Sequence, residues 1–170
     1  MNKNHAQSAA QKLLKRFEIN EAPIPVERIA KLLGAVVKFS PLDEELSGMI
    51  YIQNDLPIIG VNALHHPNRQ RFTIAHEIGH LVLHRETLTG QVHVDKQFRV
   101  LMRDGKASTG VDNIEIEANR FAAELLIPTE LITQAIKAEF DIEDESLFED
   151  LAKRFKVSKQ MLEYRIRNLV

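Results

Sequence analysis

Between residues 6 and 17 the apolar side chains Ala10, Leu13, Leu14 and Phe17 recur at helical spacing. The pattern repeats over residues 26–33, with Pro25 near its start and Gly34 past its end. Two short amphipathic helices are therefore predicted to open the chain. Residues 35–39, 48–52 and 57–61 are short and rich in β-branched side chains, with Pro41 and Asn54-Asp55 as punctuation, so they are predicted as three strands of a small antiparallel sheet. From about residue 68 to 84 the helical period returns: Phe72, Ala75, Ile78, Gly79 and Val82 form the stripe to be buried, with His76 and His80 along its edge. Residues 85–111 show no clear period apart from brief alternation over 91–94. They exceed the ~15 residues usual for a structureless connection, so they are either a functional cover or contain a strand. A further helix is predicted from about 112 to 127, stopped by Pro128, followed by helices over about 129–140, 145–155 and 158–169. The class predicted is α+β: a small antiparallel three-stranded sheet packed with helices before and after it.

Length and composition refine this picture. A chain of 170 residues with 44% apolar content can bury one core plus a small helical appendage. The expected division is a domain over residues 1–128 and a helical extension over 129–170. There is no cysteine, which excludes disulfides, thiolate metal sites and cysteine nucleophiles. Any metal must rest on His and carboxylates. The first twenty residues lack the unbroken apolar stretch of a signal peptide and no later run reaches membrane-spanning length, so a cytoplasmic protein is expected. A net charge of −2 gives no overall reason to expect nucleic acid. The acidic run from Asp141 to Asp150 and the basic residues from Lys153 to Arg167 read as solvated helix faces that pair with each other.

The chemistry lies in His76-Glu77-Ile78-Gly79-His80, an H-E-x-x-H pattern. Residues four apart share one helical face about 6 Å apart along the axis, so two imidazoles can reach one ion. Glu77, about 100 degrees round from His76, stands where its carboxylate can take a proton from an attacking water. A catalytic zinc takes three protein ligands and keeps one position open, so a third donor is required. His84 continues the stripe but lies ~12 Å from His76 on a straight helix, too far for one ion, and is assigned to packing or hydrogen bonding at the helix end. A metzincin-type third His is excluded, since Leu83 and Glu86 stand where that pattern needs Gly and His. On the next helix, Glu115 lies roughly 60 degrees from the centre of the buried side, while Glu117 and Glu124 lie on the opposite flank. Glu115 is the better-placed ligand. Asp112 and Glu115 are also spaced as a capping box, which leaves a second role for that carboxylate. Asn119, one turn further along the same edge, is placed either to orient a ligating His from behind or to bond between helices. His65, His66 and His93 read as surface residues.

Two blocks, residues 69–80 (RQRFTIAHEIGH) and 117–128 (EANRFAAELLIP), together resemble the ImmA/IrrE metallopeptidases, a likeness that extends over about residues 25–128. The resemblance implies a gluzincin-like architecture, with zinc, or alternatively manganese, on His76, His80 and Glu115. It makes Glu77 the general base. Gluzincins carry an acid at the place of Asn119, so the bond behind the ligand differs in kind here. Members of the family act on helix-turn-helix repressors of the phage type, which implies an endopeptidase whose partner is such a repressor. The alternative is a toxin–antitoxin module that binds a helix-turn-helix partner with proteolysis incidental. Some members carry a further sensor domain not evident in these residues, so sensing is expected to come from elsewhere. Residues 151–169 have helix-turn-helix spacing with Ser158 at an N-cap. They are read as a covering or docking extension in preference to a DNA reader.

Overall fold

The computed structural model describes residues 4–88, 92–95, 110–138 and 145–169. In chain order these form α1 (Asn4–Arg16), α2 (Val26–Leu32), β1 (Val36–Ser40), β2 (Gly48–Gln53), β3 (Leu56–Asn62), α3 (Pro67–Leu83), α4 (Arg85–Leu88), β4 (His93–Asp95), α5 (Gly110–Leu126), α6 (Thr129–Ala138), α7 (Glu145–Phe155) and α8 (Lys159–Arg167). Local chemistry sets several boundaries. Pro67 opens α3, where its missing N–H costs nothing, and the His66 side chain accepts from the Asn68 N–H. Ser158 caps α8 by accepting from the Met161 N–H. Gly34, at φ +79, leaves α2 in a conformation that only glycine adopts without cost.

The sheet corrects the sequence reading. Among the described residues it has four strands in the order β1-β3-β2-β4, and it is mixed. β2 and β3 form the expected antiparallel hairpin around Asn54 and Asp55, whose φ values of 50 and 63 suit a two-residue turn. β1, however, pairs with β3 in parallel, from Val36 opposite Ile58 to Ser40 opposite Asn62. A strand pattern specifies which side chains share a face and leaves the neighbour open. Here the neighbour is decided by buried Asn62, whose Nδ2 donates to the Leu46 carbonyl at 2.8 Å and whose Oδ1 accepts from the Leu42 and Leu64 N–H groups. That tether folds the 41–47 connection so that β2 enters on the far side of β3. The fourth strand, β4, lies in the segment read as either cover or strand, and it pairs with β2 from Gly48 opposite Asp95 to Ile50 opposite His93.

α3 is wedged between the sheet and α5, with Ile74, Ala75 and Ile78 buried against Ile50, Ile59, Phe121, Ala122 and Leu125 in one core. The C-terminal helices enter that same core through Leu151, Phe155, Val157 and Leu162. They are also joined to it by polar contacts. Arg165 of α8 (3% exposed) forms an ion pair with Glu124 of α5 (0% exposed) and donates to the Ile127 carbonyl. Glu124 further accepts from Gln11 of α1 and from Thr129. A polar pair taken out of water in this way costs free energy unless its hydrogen bonds are made, and here both members are well supplied. No helix of the described residues is long and apolar enough to cross a membrane.

Candidate metal centre

The site is built where α3 and α5 cross. His76, Glu77 and His80 lie in the middle of α3 and are at most 1% exposed. Gly79 sits between them on the crossing: a Cβ there would lie 3.2 Å from the Ala118 backbone and from the Phe121 ring. The absent side chain thus lets α5 approach closely enough to present Glu115 and Asn119 to the two histidines. Glu115 Oε2 is 3.2 Å from His76 Nε2, and Oε1 is 3.4 Å from His80 Nε2. The two Nε2 atoms are 3.0 Å apart. β4 brings a fourth donor from the other side: His93 Nε2 lies 2.9 Å from Glu115 Oε1.

Donor atoms of His76, His80, His93 and Glu115 all lie within 4.8 Å of one another, so the group could hold a metal ion. Ligands of a tetrahedral zinc with bonds of about 2.1 Å are separated by ~3.4 Å, close to the observed spacings. His93 Nε2 and Glu115 Oε1 are within contact distance of each other. His76 Nδ1 is 2.9 Å from Asn119 Oδ1. An amide oxygen only accepts, so the His76 proton resides on Nδ1 and Nε2 keeps its lone pair.

The electrostatics favour the ligating protonation states. Burial pushes the His80 imidazole down to about 3, against the opposing influence of Glu115, so at neutral pH it is uncharged. For Glu115 burial acts to raise the pKa, but the contacts with His76, His80 and His93 outweigh it and hold the carboxyl well below the usual range. Contact with Glu115 raises the His93 pKa against burial, and the charge of Glu77 adds to the rise. Glu77 is therefore within electrostatic reach of His93. It also lies beside β2: a Cβ on Gly48 would lie 3.5 Å from Glu77 Oε1.

The remaining candidates fall elsewhere. His84 is the C-cap residue of α3, with Nε2 3.5 Å from Glu117 Oε2. His65 contacts the Glu44 carbonyl at 3.2 Å and His66 caps α3. The capping alternative for Glu115 involves the side chain of Asp112, which lies outside the described residues; the backbone is helical from Gly110 onward, and the Glu115 carboxylate is turned to the imidazoles. His93 is a correction. Read from sequence as a surface residue, it is 25% exposed in its side chain, and its ring packs 4.1 Å from that of His80. The alternation over residues 91–94 marked a strand there, but only the pairing of β4 with β2 carries that strand to the α3 histidines. Glu124, read as lying on the far flank of its helix, is there and fully buried by its partners.

Comparison with known proteins places this geometry in context. The family model described as Peptidase_M78, IrrE N-terminal-like domain, matches residues 30–167. Uncharacterized immunity region protein 2 of Bacillus phage phi105 is 27% identical over 137 residues, covering 81% of this chain and 77% of that protein. A solved structure of a Mycobacterium tuberculosis transcriptional regulator superposes with a TM-score of 0.63 at 18% identity, over 95% of this chain and 46% of that one. The chain thus spans less than half of that regulator, and the likeness to it is one of fold.

Proposed function

The chain belongs to the Peptidase_M78, IrrE N-terminal-like family, and on that premise we propose that it is a metal-dependent endopeptidase that cuts a helix-turn-helix repressor of the phage type. The observation that carries this reading is the convergence of two α3 imidazoles and the Glu115 carboxylate within 3.4 Å of one another, with Glu77 buried beside His76 on the same helix. In this reading His76, His80 and Glu115 hold the ion, zinc being the first expectation from the donor set and manganese the second. A divalent ion there supplies Lewis-acid polarisation of the scissile carbonyl and activation of water at neutral pH. Glu77 takes the proton of the attacking water on its carboxylate and returns it to the departing amine. Asn119 accepts from His76 Nδ1, holding that ring in the tautomer that exposes Nε2.

An extended substrate is best accommodated on a free sheet edge. The strand over residues 57–61 is paired on both sides and offers none. β4 is the edge on the side of the metal centre among the described residues, and the substrate strand is assigned to it. Residues 1–128 are taken as the catalytic part and 129–170 as an extension that seals the core, with no direct role on DNA. The relative from a phage immunity region supports a repressor as partner.

Metal content of the purified protein, together with incubation of wild type and Glu77→Gln with helix-turn-helix repressors of the phage type, tests the reading. Wild type is expected to cleave and Glu77→Gln to bind without cleaving. A stable complex with no cleavage by metal-loaded wild type would instead favour a toxin–antitoxin module.

A further inference from the structure

The centre brings together more donors than a catalytic metal needs. Catalytic zinc sites hold three protein ligands and keep one position for substrate or solvent, whereas four protein ligands make a closed site. His76, His80 and Glu115 already supply three, on two 17-residue helices locked together in the core. His93 is the fourth, its Nε2 2.9 Å from Glu115 Oε1, its ring against His80 and its donor atom within 4.8 Å of the other three. We propose that His93 is a fourth protein ligand that closes the centre in its resting state and has to withdraw before a scissile carbonyl can enter.

The inference rests on reading the cluster as a metal centre, and its support is the contrast between the elements that carry the donors. The side chains of His76, His80 and Glu115 are 2%, 1% and 17% exposed, while that of His93 is 25% exposed. His93 rides on β4, which among the described residues is a three-residue edge strand held to the sheet by three residue pairings with β2. Short edge elements with few buried contacts are the ones that open at low free-energy cost. The same edge is the one assigned above to substrate. An incoming strand that pairs with β4 would therefore act directly on the element that carries the fourth ligand, coupling occupancy of the substrate edge to opening of the metal centre.

Cobalt(II) substitution tests this without relying on turnover. Wild type, His93→Ala, His93→Gln and His80→Ala are loaded with Co2+ at pH 7.5, followed by visible absorption, titrated with azide and measured for affinity by chelator competition. Wild type is expected to give a four-coordinate spectrum that azide leaves unchanged. Both His93 variants are expected to gain an azide-dependent spectral change and to bind Co2+ at least about tenfold more weakly. His93→Gln keeps length and polarity on β4, so agreement between the two variants ties the effect to the imidazole, and circular dichroism reports whether each is folded. If azide shifts wild type as readily as the variants and affinity is unchanged, His93 is not a ligand and the inference fails while the metal centre stands. If wild type takes up no Co2+, or His80→Ala takes it up equally well, the metal reading falls and this inference with it.

Discussion

Nδ1 of His76 on α3 lies 2.9 Å from Oδ1 of Asn119 on α5, with both residues buried. This hydrogen bond spans the helix crossing and selects the tautomer of an imidazole in the candidate metal cluster. Removing the acceptor in Asn119→Ala is expected to lower metal affinity about 10- to 100-fold, the usual effect of losing a partner behind a ligand. Asn119→Asp, which keeps an acceptor and adds charge, is expected to restore affinity to at least the wild-type value. Competition with a chelating dye measures both, and equal affinities for wild type and Asn119→Ala would remove the bond from any account of the site.

Gly79 decides how near α5 can come. An alanine there gains about 1 kcal/mol of helix propensity, but its Cβ would press on the Ala118 backbone and the Phe121 ring at 3.2 Å. Overpacking of that kind costs about 1–3 kcal/mol, so the net expectation is a loss of stability near 1 kcal/mol, with metal affinity falling in parallel because Glu115 and Asn119 ride on the displaced helix. Urea denaturation of the metal-free protein gives the first quantity and chelator competition the second. A stabilised Gly79→Ala would mean that the crossing is looser than described.

At Gly48 the contact is tighter still. A Cβ would stand 2.3 Å from Thr73 Cγ2 and 2.8 Å from the Gly60 carbonyl oxygen. Gly48→Ala is expected to cost about 2 kcal/mol or more by forcing β2 away from α3 beside Glu77. Adding Thr73→Ser removes the methyl but leaves the carbonyl, so the double variant should recover only part of the loss. Full recovery in the double variant would show that the backbone contact is immaterial.

The buried ion pair of Glu124 and Arg165 ties α8 to α5. Arg165→Met leaves a carboxylate with no exposure and without its cation, and a destabilisation of about 3–5 kcal/mol is expected. The doubly apolar Glu124→Leu with Arg165→Met removes the stranded charge and should recover most of that loss, although Thr129 and Gln11 lose their acceptor. Chemical denaturation of the four proteins of this cycle reads the coupling directly.

Metal removal should be visible in stability as well as in activity. A ligand that binds only the folded state, present at 100 times its dissociation constant, stabilises by about 2.7 kcal/mol. Dialysis against a chelator is therefore expected to lower the melting temperature by several degrees, and one equivalent of Zn2+ to restore it. A melting temperature indifferent to both would count against tight binding at the His–Glu cluster.

The sequence by itself determined the helix that carries His76, Glu77 and His80 and the hairpin of β2 and β3, and it put Glu115 and Asn119 on one edge of a second helix while leaving two roles open for each. Each of these rests on a short-range regularity. Four-residue spacing on one helix, the buried side of another and a two-residue turn are properties of neighbouring residues, so they are readable without coordinates. Tertiary structure alone decided the rest. The parallel partnership of β1 with β3 depends on Asn62 gathering carbonyls and N–H groups from a connection about twenty residues earlier in the chain. His93 joined the centre because β4 adds to the edge of β2, and Glu124 proved to be a buried anchor because Arg165, 41 residues later, reaches it. Strand patterns and charges state what a residue can pair with; which partner it meets is settled by how distant elements pack, and that lies outside the reach of local spacing.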